Sequence, residues 1–141
     1  MLDMSDGEER PLGYLLHRLT TALRTDVTAN VLEPLDLPFP QYICMRILSL
    51  YPGSSNAELA RDIMVSPQAM NMVVRSLQER GLVTRPATVA AGRSLPAELS
   101  QEGKALLKRT ETGIRAAEDR VLAPLNERDQ AELRRILGDL G

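Results

Sequence analysis

The stretch from residue 55 to residue 93 reads SNAELARDIMVSPQAMNMVVRSLQERGLVTRPATVAAGR and contains two helix start signals. The first is Ser55 followed three residues later by Glu58, a capping box in which each side chain bonds to the backbone N–H of the other residue. The second is Ser66-Pro67, because serine caps a helix and proline fits its first position without losing a hydrogen bond. The stretch therefore predicts two helices separated by a short turn.

The second helix is predicted to bury one face and expose the other. Its apolar residues recur at the i, i+3, i+4 and i+7 spacing of a helical face, namely Met70, Val73, Val74 and Leu77. The other side carries Gln68, Asn71, Met72, Arg75 and Glu79. Gly81 is predicted to end this helix, since glycine adopts the left-handed conformation without a Cβ penalty. In the first helix, Leu59, Ala60 and Ile63 form the apolar stripe, and the turn is predicted over Asp62 to Val65.

Two short strands, Leu82–Ala87 and Ser94–Leu99, are predicted to follow as a hairpin. Pro86 and Pro96 cannot donate to a central ladder, so each strand should have one unpaired side. Capped helical pairs often only fill a core, but a helical pair followed by a hairpin is typical of a winged helix-turn-helix that contacts DNA. Arg93, beside Gly92 near the hairpin tip, is placed to contact a phosphate or a narrow minor groove.

The ordered segments SNAELA (55–60), VSPQAM (65–70), LQERGLVTR (77–85), GR (92–93) and LSQEG (99–103) resemble the MarR family of transcriptional regulators. The resemblance extends over nearly the whole chain. It implies a mainly α fold with a small β-hairpin wing, in which a winged helix-turn-helix core is flanked by N- and C-terminal dimerisation helices. It also implies a homodimer, a small aromatic or anionic effector ligand, and repression as the commoner role.

Two positions depart from the family pattern. Family members often carry an aspartate two residues before the wing arginine, where this chain has Ala91, so Arg93 lacks a local carboxylate to orient it. The turn between the helices often has glycine where this chain has Met64. A left-handed methionine would cost on the order of 1 kcal/mol, so either the turn differs or the core absorbs the strain.

The chain is predicted to comprise an acidic flexible N-terminus over 1–11, a helical dimerisation region over 12–34 and 101–141, and a DNA-binding lobe over 35–100. A long apolar stripe before the motif consists of Leu12, Leu15, Leu16, Leu19, Leu23, Val27 and Val31. Two further stripes follow it, Leu107, Ile114, Ala117, Val121 and Leu125, then Leu133, Ile136, Leu137 and Leu140 behind an Asn126 cap. A dimer would bury these stripes and place two recognition helices about 34 Å apart on a pseudo-palindromic operator. The alternative is a helical bundle within one chain.

A helix is predicted to follow Pro38 and Pro40 and to pack under the lobe. Its apolar face consists of Ile43, Cys44, Ile47, Leu48 and Tyr51.

The predicted DNA-contacting residues are Ser66, Pro67, Gln68, Ala69, Asn71, Met72, Arg75, Arg85 and Arg93. Glutamine and asparagine pair with adenine, arginine reaches guanine or phosphate, and alanine or methionine can contact a thymine methyl group. Arg75 and Arg80 could instead be solvent-facing partners of Glu79 and other acids.

An effector cleft between the dimer helices and the lobe is implied by the resemblance, with Tyr14, His17, Arg18, Tyr42 and Arg46 as candidate lining residues. Cys44 lies on an apolar stripe and is predicted to be a buried thiol, with a redox-sensing role as the alternative. One histidine and one cysteine make no convincing zinc site, so no metal and no cofactor are predicted.

Composition narrows the function classes. The 141 residues suit one domain, and the absence of a signal peptide or a long apolar run predicts a cytoplasmic, nucleoid-associated protein without membrane contact. The net charge of the chain is −2, but the segment from Arg61 to Leu95 contains five arginines and only two acids. Positive charge is thus concentrated in the predicted DNA-binding motif.

No catalytic triad and no phosphate-binding loop are evident in the sequence, so an enzyme is not predicted. A winged-helix module that binds another protein, through Met72 and Ala69, remains an alternative.

Overall fold

A computed structural model of the chain describes residues 9–85 and 96–141, and most of these are helical. In chain order the elements are α1 (Leu12–Val27), α2 (Phe39–Leu50), α3 (Asn56–Ile63), α4 (Pro67–Glu79), β1 (Val83–Thr84), β2 (Glu98–Leu99), α5 (Gln101–Leu122) and α6 (Glu127–Leu140). The strands pair antiparallel, with Val83 opposite Leu99 and Thr84 opposite Glu98. The predicted fold class is confirmed.

The two predicted helix starts have the expected cap geometry. The Glu58 N–H donates to Ser55 Oγ at 3.2 Å, and the Ser55 N–H donates back to Glu58 Oε1 at 3.3 Å. These bonds lower the pKa of the Glu58 carboxyl. At the start of α4 the Ala69 N–H donates to Ser66 Oγ at 3.1 Å, and Pro67 occupies the first helical position. Both helices of the motif are therefore fixed at their N-terminal ends by local sequence.

The core of the lobe lies where α2, α3 and α4 meet above the base of the hairpin. Its largest fully buried side chains include Met45, Leu48, Leu59, Met70 and Leu77. The predicted buried face of α4 is confirmed, with Val73 only partly buried at its edge. A Cβ added at Gly103 would collide with the carbonyl oxygen of Leu82, so glycine is required where α5 meets the hairpin.

The N-terminal helix is less regular than its apolar stripe predicts. It is α-helical only to Val27, continues as a π-helical segment over Thr28–Leu32, and ends in a 3-10 turn over Glu33–Leu35. Pro34 lacks an N–H and cannot continue an α-helical ladder, which accounts for the changed winding. Asp36 then turns the chain in a left-handed conformation, with φ of 52°. The segment 12–34 is therefore not one straight helix.

Several predicted boundaries are wrong by a few residues. Among the described residues the strands cover only Val83–Thr84 and Glu98–Leu99, since only these four residues pair in the ladder. The predicted strand residues 86–87 and 94–95 lie outside the described residues. Asp62 and Ile63 belong to α3, whose hydrogen bonding continues to its end, so the turn starts at Met64. Pro40 lies inside the first turn of α2, where its missing N–H costs nothing.

Two residues assigned to helical stripes lie outside helices. Tyr51 follows the last residue of α2, has a non-helical backbone and is exposed, because the chain turns at Pro52-Gly53. Leu125 lies in the connection between α5 and α6, where Pro124 ends the helical winding. The predicted Asn126 cap is confirmed, since Asn126 Oδ1 accepts from the Asp129 N–H at 2.8 Å.

Candidate nucleic-acid interface

The outward face of α4 is exposed and mostly polar. Gln68, Asn71 and Arg75 are exposed along it, and Met72 is 72% exposed. The opposite face is anchored in the core, so these side chains extend from a rigid helix. A 13-residue helix is about 20 Å long and fits the B-DNA major groove, which is about 12 Å wide. This face is therefore suited to contact base edges.

The N-terminal end of α4 is open to solvent. Ser66, Pro67 and Gln68 are exposed there, and Ala69 is half-buried. Helix N-termini attract anions, because backbone N–H groups and the helix dipole point outward. This end of α4 can therefore approach a phosphate while the polar face enters the groove.

A chain of three hydrogen-bonded side chains joins the polar face of α4 to the start of α3 and to the residue after β1. Asn56, the first residue of α3, donates from Nδ2 to Asn71 Oδ1 at 3.3 Å. Arg85, the residue after β1, donates from Nη2 to Asn56 Oδ1. Arg85 Nε is buried and has no hydrogen-bond partner among the described residues. The guanidinium is thus directed toward α3 and is only partly exposed, which the sequence did not indicate.

Asn56 belongs to this site and was not predicted from the sequence. Its position after the Ser55 cap suggested only a helix start, and nothing in the local pattern placed it beside Asn71, fifteen residues later. The contact joins the first residue of α3 to a residue in the second turn of α4, so it depends on how these two helices pack.

The C-terminal end of α4 is tied to α2 by a second polar group. Gln41 Nε2 donates to Ser76 Oγ at 2.9 Å, and Arg80 Nη1 donates to Gln41 Oε1 at 2.8 Å. Arg80 therefore bonds to a neutral amide. Within residues 9–85 and 96–141, neither Arg75 nor Arg80 forms an ion pair with an acid.

The wing residues Ala91 and Arg93, as well as the N-terminal residues 1–8, lie outside the described residues. The predicted role of Arg93 therefore stays a prediction. The left-handed turn at Met64 is observed, with φ of 64° and ψ of 47°, so this turn has the conformation that glycine would adopt.

A cleft with a volume of about 220 Å³ separates the lobe from the long helices. It is lined by Thr20, Leu23, Arg24 and Val27 of α1, Phe39, Tyr42 and Ile43 of α2, and Ile114 and Glu118 of α5. The Arg24 guanidinium lies 4.4 Å from the centre of the Phe39 ring. An aromatic wall with one cation suits a small aromatic anion.

Of the five residues predicted to line the effector cleft, only one lines this cleft. Tyr42 does, while Arg46 lines a separate cleft of about 250 Å³ together with Lys104 and Lys108. The remaining three, Tyr14, His17 and Arg18, are exposed on the first turns of α1 and line neither cleft. Arg24 and Phe39 were missed, because only the folded chain brings α1 and α2 together.

The buried thiol was predicted correctly. Cys44 is fully buried, and burial raises its pKa to about 12, although Arg85 nearby acts in the opposite direction. At neutral pH the thiolate fraction is therefore very small, and the thiolate is the reactive form.

In the part of the chain that the structure describes, no three His, Cys, Asp or Glu side chains cluster as metal ligands would. The same residues include no helix with the length and apolar character needed to cross a bilayer.

Comparison with known proteins places the chain in a family. A family model described as MarR family matches residues 35–94. The HTH-type transcriptional repressor Rv2887 of Mycobacterium tuberculosis is 51% identical over 138 residues, which cover 98% of this chain and 99% of the relative. A solved structure of that MarR family protein with salicylic acid has a TM-score of 0.80 and 52% identity, covering 96% of this chain and 99% of the other. The chain belongs to the MarR family.

A second solved structure of the same MarR family protein was obtained in complex with DNA. It has a TM-score of 0.77 and 47% identity to this chain, and the match covers 94% of this chain and 99% of the other. The family resemblance inferred from the sequence is thus confirmed, and the MarR family relatives are named as transcriptional regulators rather than as enzymes.

In this MarR family chain, the described DNA-contact candidates divide into two groups. One group lies on the exposed surface of α4 and its N-terminal end, namely Ser66, Pro67, Gln68, Ala69, Asn71, Met72 and Arg75. Arg85 stands apart, half-buried behind that surface and bonded to Asn56. The individual DNA contacts of both groups stay predictions.

Proposed function

We propose that this MarR family protein is a sequence-specific repressor that binds double-stranded DNA. The observation that carries the proposal is the exposed polar face of α4, held on a buried core with its N-terminal end open. The named function of the relative Rv2887 and the structure of that relative with DNA support it. A regulator of this kind acts in the cytoplasm, at the nucleoid, and this localisation is part of the proposal.

The proposed binding unit is a homodimer. Helix α6 has no buried residue within one chain, although it carries Ile136, Leu137 and Leu140. On α1, Leu12 and Leu16 are also exposed. Burial of such side chains is favourable by about 25 cal/mol per Å² of apolar surface. A dimer in which a second copy covers them would therefore be more stable than the separate chains. We accordingly assign 12–34 and 101–141 to dimerisation and 35–100 to DNA binding.

A small aromatic carboxylate is the proposed effector class. The structure of the relative was solved with salicylic acid. In this chain, the aromatic rings of Phe39 and Tyr42 line the cleft between α1, α2 and α5. Arg24 is the cation available to a carboxylate there. The effector can release DNA only if it binds more tightly to the dimer conformation whose recognition-helix spacing does not fit the operator.

Two alternatives have less support. A redox switch at Cys44 conflicts with its full burial and raised pKa. A protein-binding winged helix would use the exposed Met72 and the half-buried Ala69, but polar side chains surround them on α4. Duplex binding that weakens steeply with salt separates DNA binding from protein binding, because it reports released counterions.

The first experiment measures affinity for the inverted repeat of the protein's own promoter and for random duplex over a salt series. Gln68→Ala is expected to weaken discrimination at one base position by about 1–3 kcal/mol. Arg93→Ala is expected to weaken binding to every duplex and to lower the salt slope by about 1.

Gln78→Ala is the matched control, since Gln78 is also exposed on α4 but lies near its C-terminal end. It should leave discrimination unchanged. Equal losses on promoter and random DNA for Gln68→Ala would contradict base contact by this side chain.

A further inference from the structure

The side chains of Arg85, Asn56 and Asn71 form a hydrogen-bond relay with a fixed direction, and Asn71, at its end, lies on α4. Arginine has only donors, so Asn56 must present its oxygen to Arg85. The Asn56 amide nitrogen then faces α4 and donates to Asn71 Oδ1. As a result, the Asn71 amide nitrogen is the group at the end of the relay that can donate to a base in the major groove.

An asparagine amide without such a partner can exchange its donor and acceptor by rotating through half a turn. The two orientations match different base edges, because adenine, guanine and thymine present donors and acceptors in different orders in the major groove. An amide held in one orientation therefore discriminates between bases better than a free one.

Arg85 is poorly placed to contact a phosphate directly. It is only partly exposed, its Nη2 is bonded to Asn56, and its Nε is buried. Its burial has a free-energy cost that a purely exposed phosphate contact would not require. The bond to Asn56 instead directs this half-buried guanidinium toward α3 and, through Asn56, toward Asn71.

We propose that Arg85 is a positioning residue for base recognition: through Asn56 it holds the Asn71 amide so that Nδ2 points into the major groove. One lone pair of Asn71 Oδ1 is then occupied by Asn56, and the other stays available beside the outward donor. The inference rests on the proposed DNA-binding function and assigns Arg85 to specificity rather than to general affinity.

The test uses the full-length protein, its promoter repeat, single-base variants of that repeat, and random duplex. Arg85→Met removes every donor at similar length, and Asn56→Asp keeps an acceptor for Arg85 but removes the donor to Asn71. Each is expected to reduce discrimination at one base position about tenfold with an unchanged salt slope. Combined with Asn71→Ala, each should add no further loss, because all three residues act as one unit.

Arg109→Met is the matched control, as Arg109 is exposed on α5, and it should leave discrimination unchanged. A second measurement needs no DNA: the side-chain amide signals of Asn71 in NMR spectra should shift in Arg85→Met and in Asn56→Asp but not in Arg109→Met. This readout also establishes that the variants are folded.

The outcomes separate the two proposals. If wild-type protein shows no salt-dependent duplex binding, the proposed function fails and this inference fails with it. If wild-type protein binds but Arg85→Met lowers the salt slope by about 1 and weakens all duplexes equally, Arg85 contacts phosphate and the relay is overturned. Additive effects with Asn71→Ala, or unshifted Asn71 signals, overturn it as well.

Discussion

Met64 has a left-handed backbone conformation at the C-terminal end of α3, and its side chain is 89% exposed. Its N–H bonds to the Arg61 carbonyl at 3.3 Å, and the next N–H, that of Val65, bonds to the Ala60 carbonyl at 3.0 Å. These bonds close the helix and turn the chain toward α4. The strain of the left-handed residue is therefore borne by the turn, and the exposed side chain returns little packing energy.

Replacement of Met64 by glycine is expected to stabilise the protein by roughly 0.5–1 kcal/mol, because glycine adopts this conformation without a Cβ penalty. Chemical denaturation monitored by circular dichroism measures the free energy of unfolding. Met64→Ala is the control, since it removes the same exposed side chain but keeps the strained φ. An equal gain for alanine and glycine would show that side-chain exposure, not backbone strain, is responsible.

Cys44 is expected to resist thiol reagents in the native protein at neutral pH. Its pKa of about 12 lies above the ordinary value of 9.0, so the stability linked to the protonated thiol is complete below pH 9 and is lost as pH rises toward 12. The reaction with an aromatic disulfide reagent is measured by the absorbance of the aromatic thiol that the reagent releases. One equivalent should react in denaturant and almost none without it, and rapid native labelling would return the redox alternative to consideration.

At the scale of elements, α1 and α5 are joined by an ion pair near their exposed edges. Arg120 donates to both oxygens of Asp26, at 3.0 and 2.5 Å, and Asn30 adds a further bond at 3.0 Å. The bonds from Arg120, then that from Asn30, hold the pKa of the Asp26 carboxyl at about 2, below its ordinary 3.8. The pair connects the segments assigned to dimerisation on either side of the lobe.

Asp26→Asn is expected to lower the Tm modestly at pH 7, because exposed ion pairs contribute little. A lowered carboxyl pKa means that the stabilisation is present above about pH 4 and is lost as pH falls through 2. The Tm difference between wild type and variant should therefore shrink between pH 4 and pH 2. Glu111→Gln, which breaks the exposed pair with Arg115, is the control, and a difference independent of pH would contradict the ion-pair account.

At the scale of the whole molecule, the apolar side chains of α6 are left uncovered within one chain. The cavity of about 240 Å³ between α1, α5 and α6 is lined by Leu19, Leu23, Val121, Leu122, Leu133 and Leu137, among others. A single chain thus leaves apolar surface open between α1, α5 and α6, which is where the proposed second copy would pack.

Leu137→Asp is expected to convert the dimer to monomers at micromolar concentration, because the aspartate would be buried without a partner. Sedimentation velocity measures the mass, and the Tm of wild type should rise with protein concentration while that of the variant should not. Leu50→Asp is the control, an exposed leucine on α2 outside the proposed interface. A monomeric wild type at these concentrations would contradict the dimer.

Local signals in the sequence were sufficient for the motif. The caps at Ser55, Ser66 and Asn126 and the glycine at position 81 were predicted from residues within one helical turn, and the structure has all of them. Such signals act through hydrogen bonds between near neighbours, so they do not depend on the rest of the fold. The buried face of α4 was equally predictable, because its spacing repeats the helical period.

Contacts between distant segments were not predictable in the same way. The bond from Asn56 to Asn71, the burial of Arg85 and the approach of Arg24 to Phe39 each depend on how separate elements cross. Periodicity specifies which face of a helix is buried, but it carries no information about the residue on the facing element. The sequence therefore determined the two helices, their caps and the exposed polar face, whereas their packing decided which side chains meet behind that face.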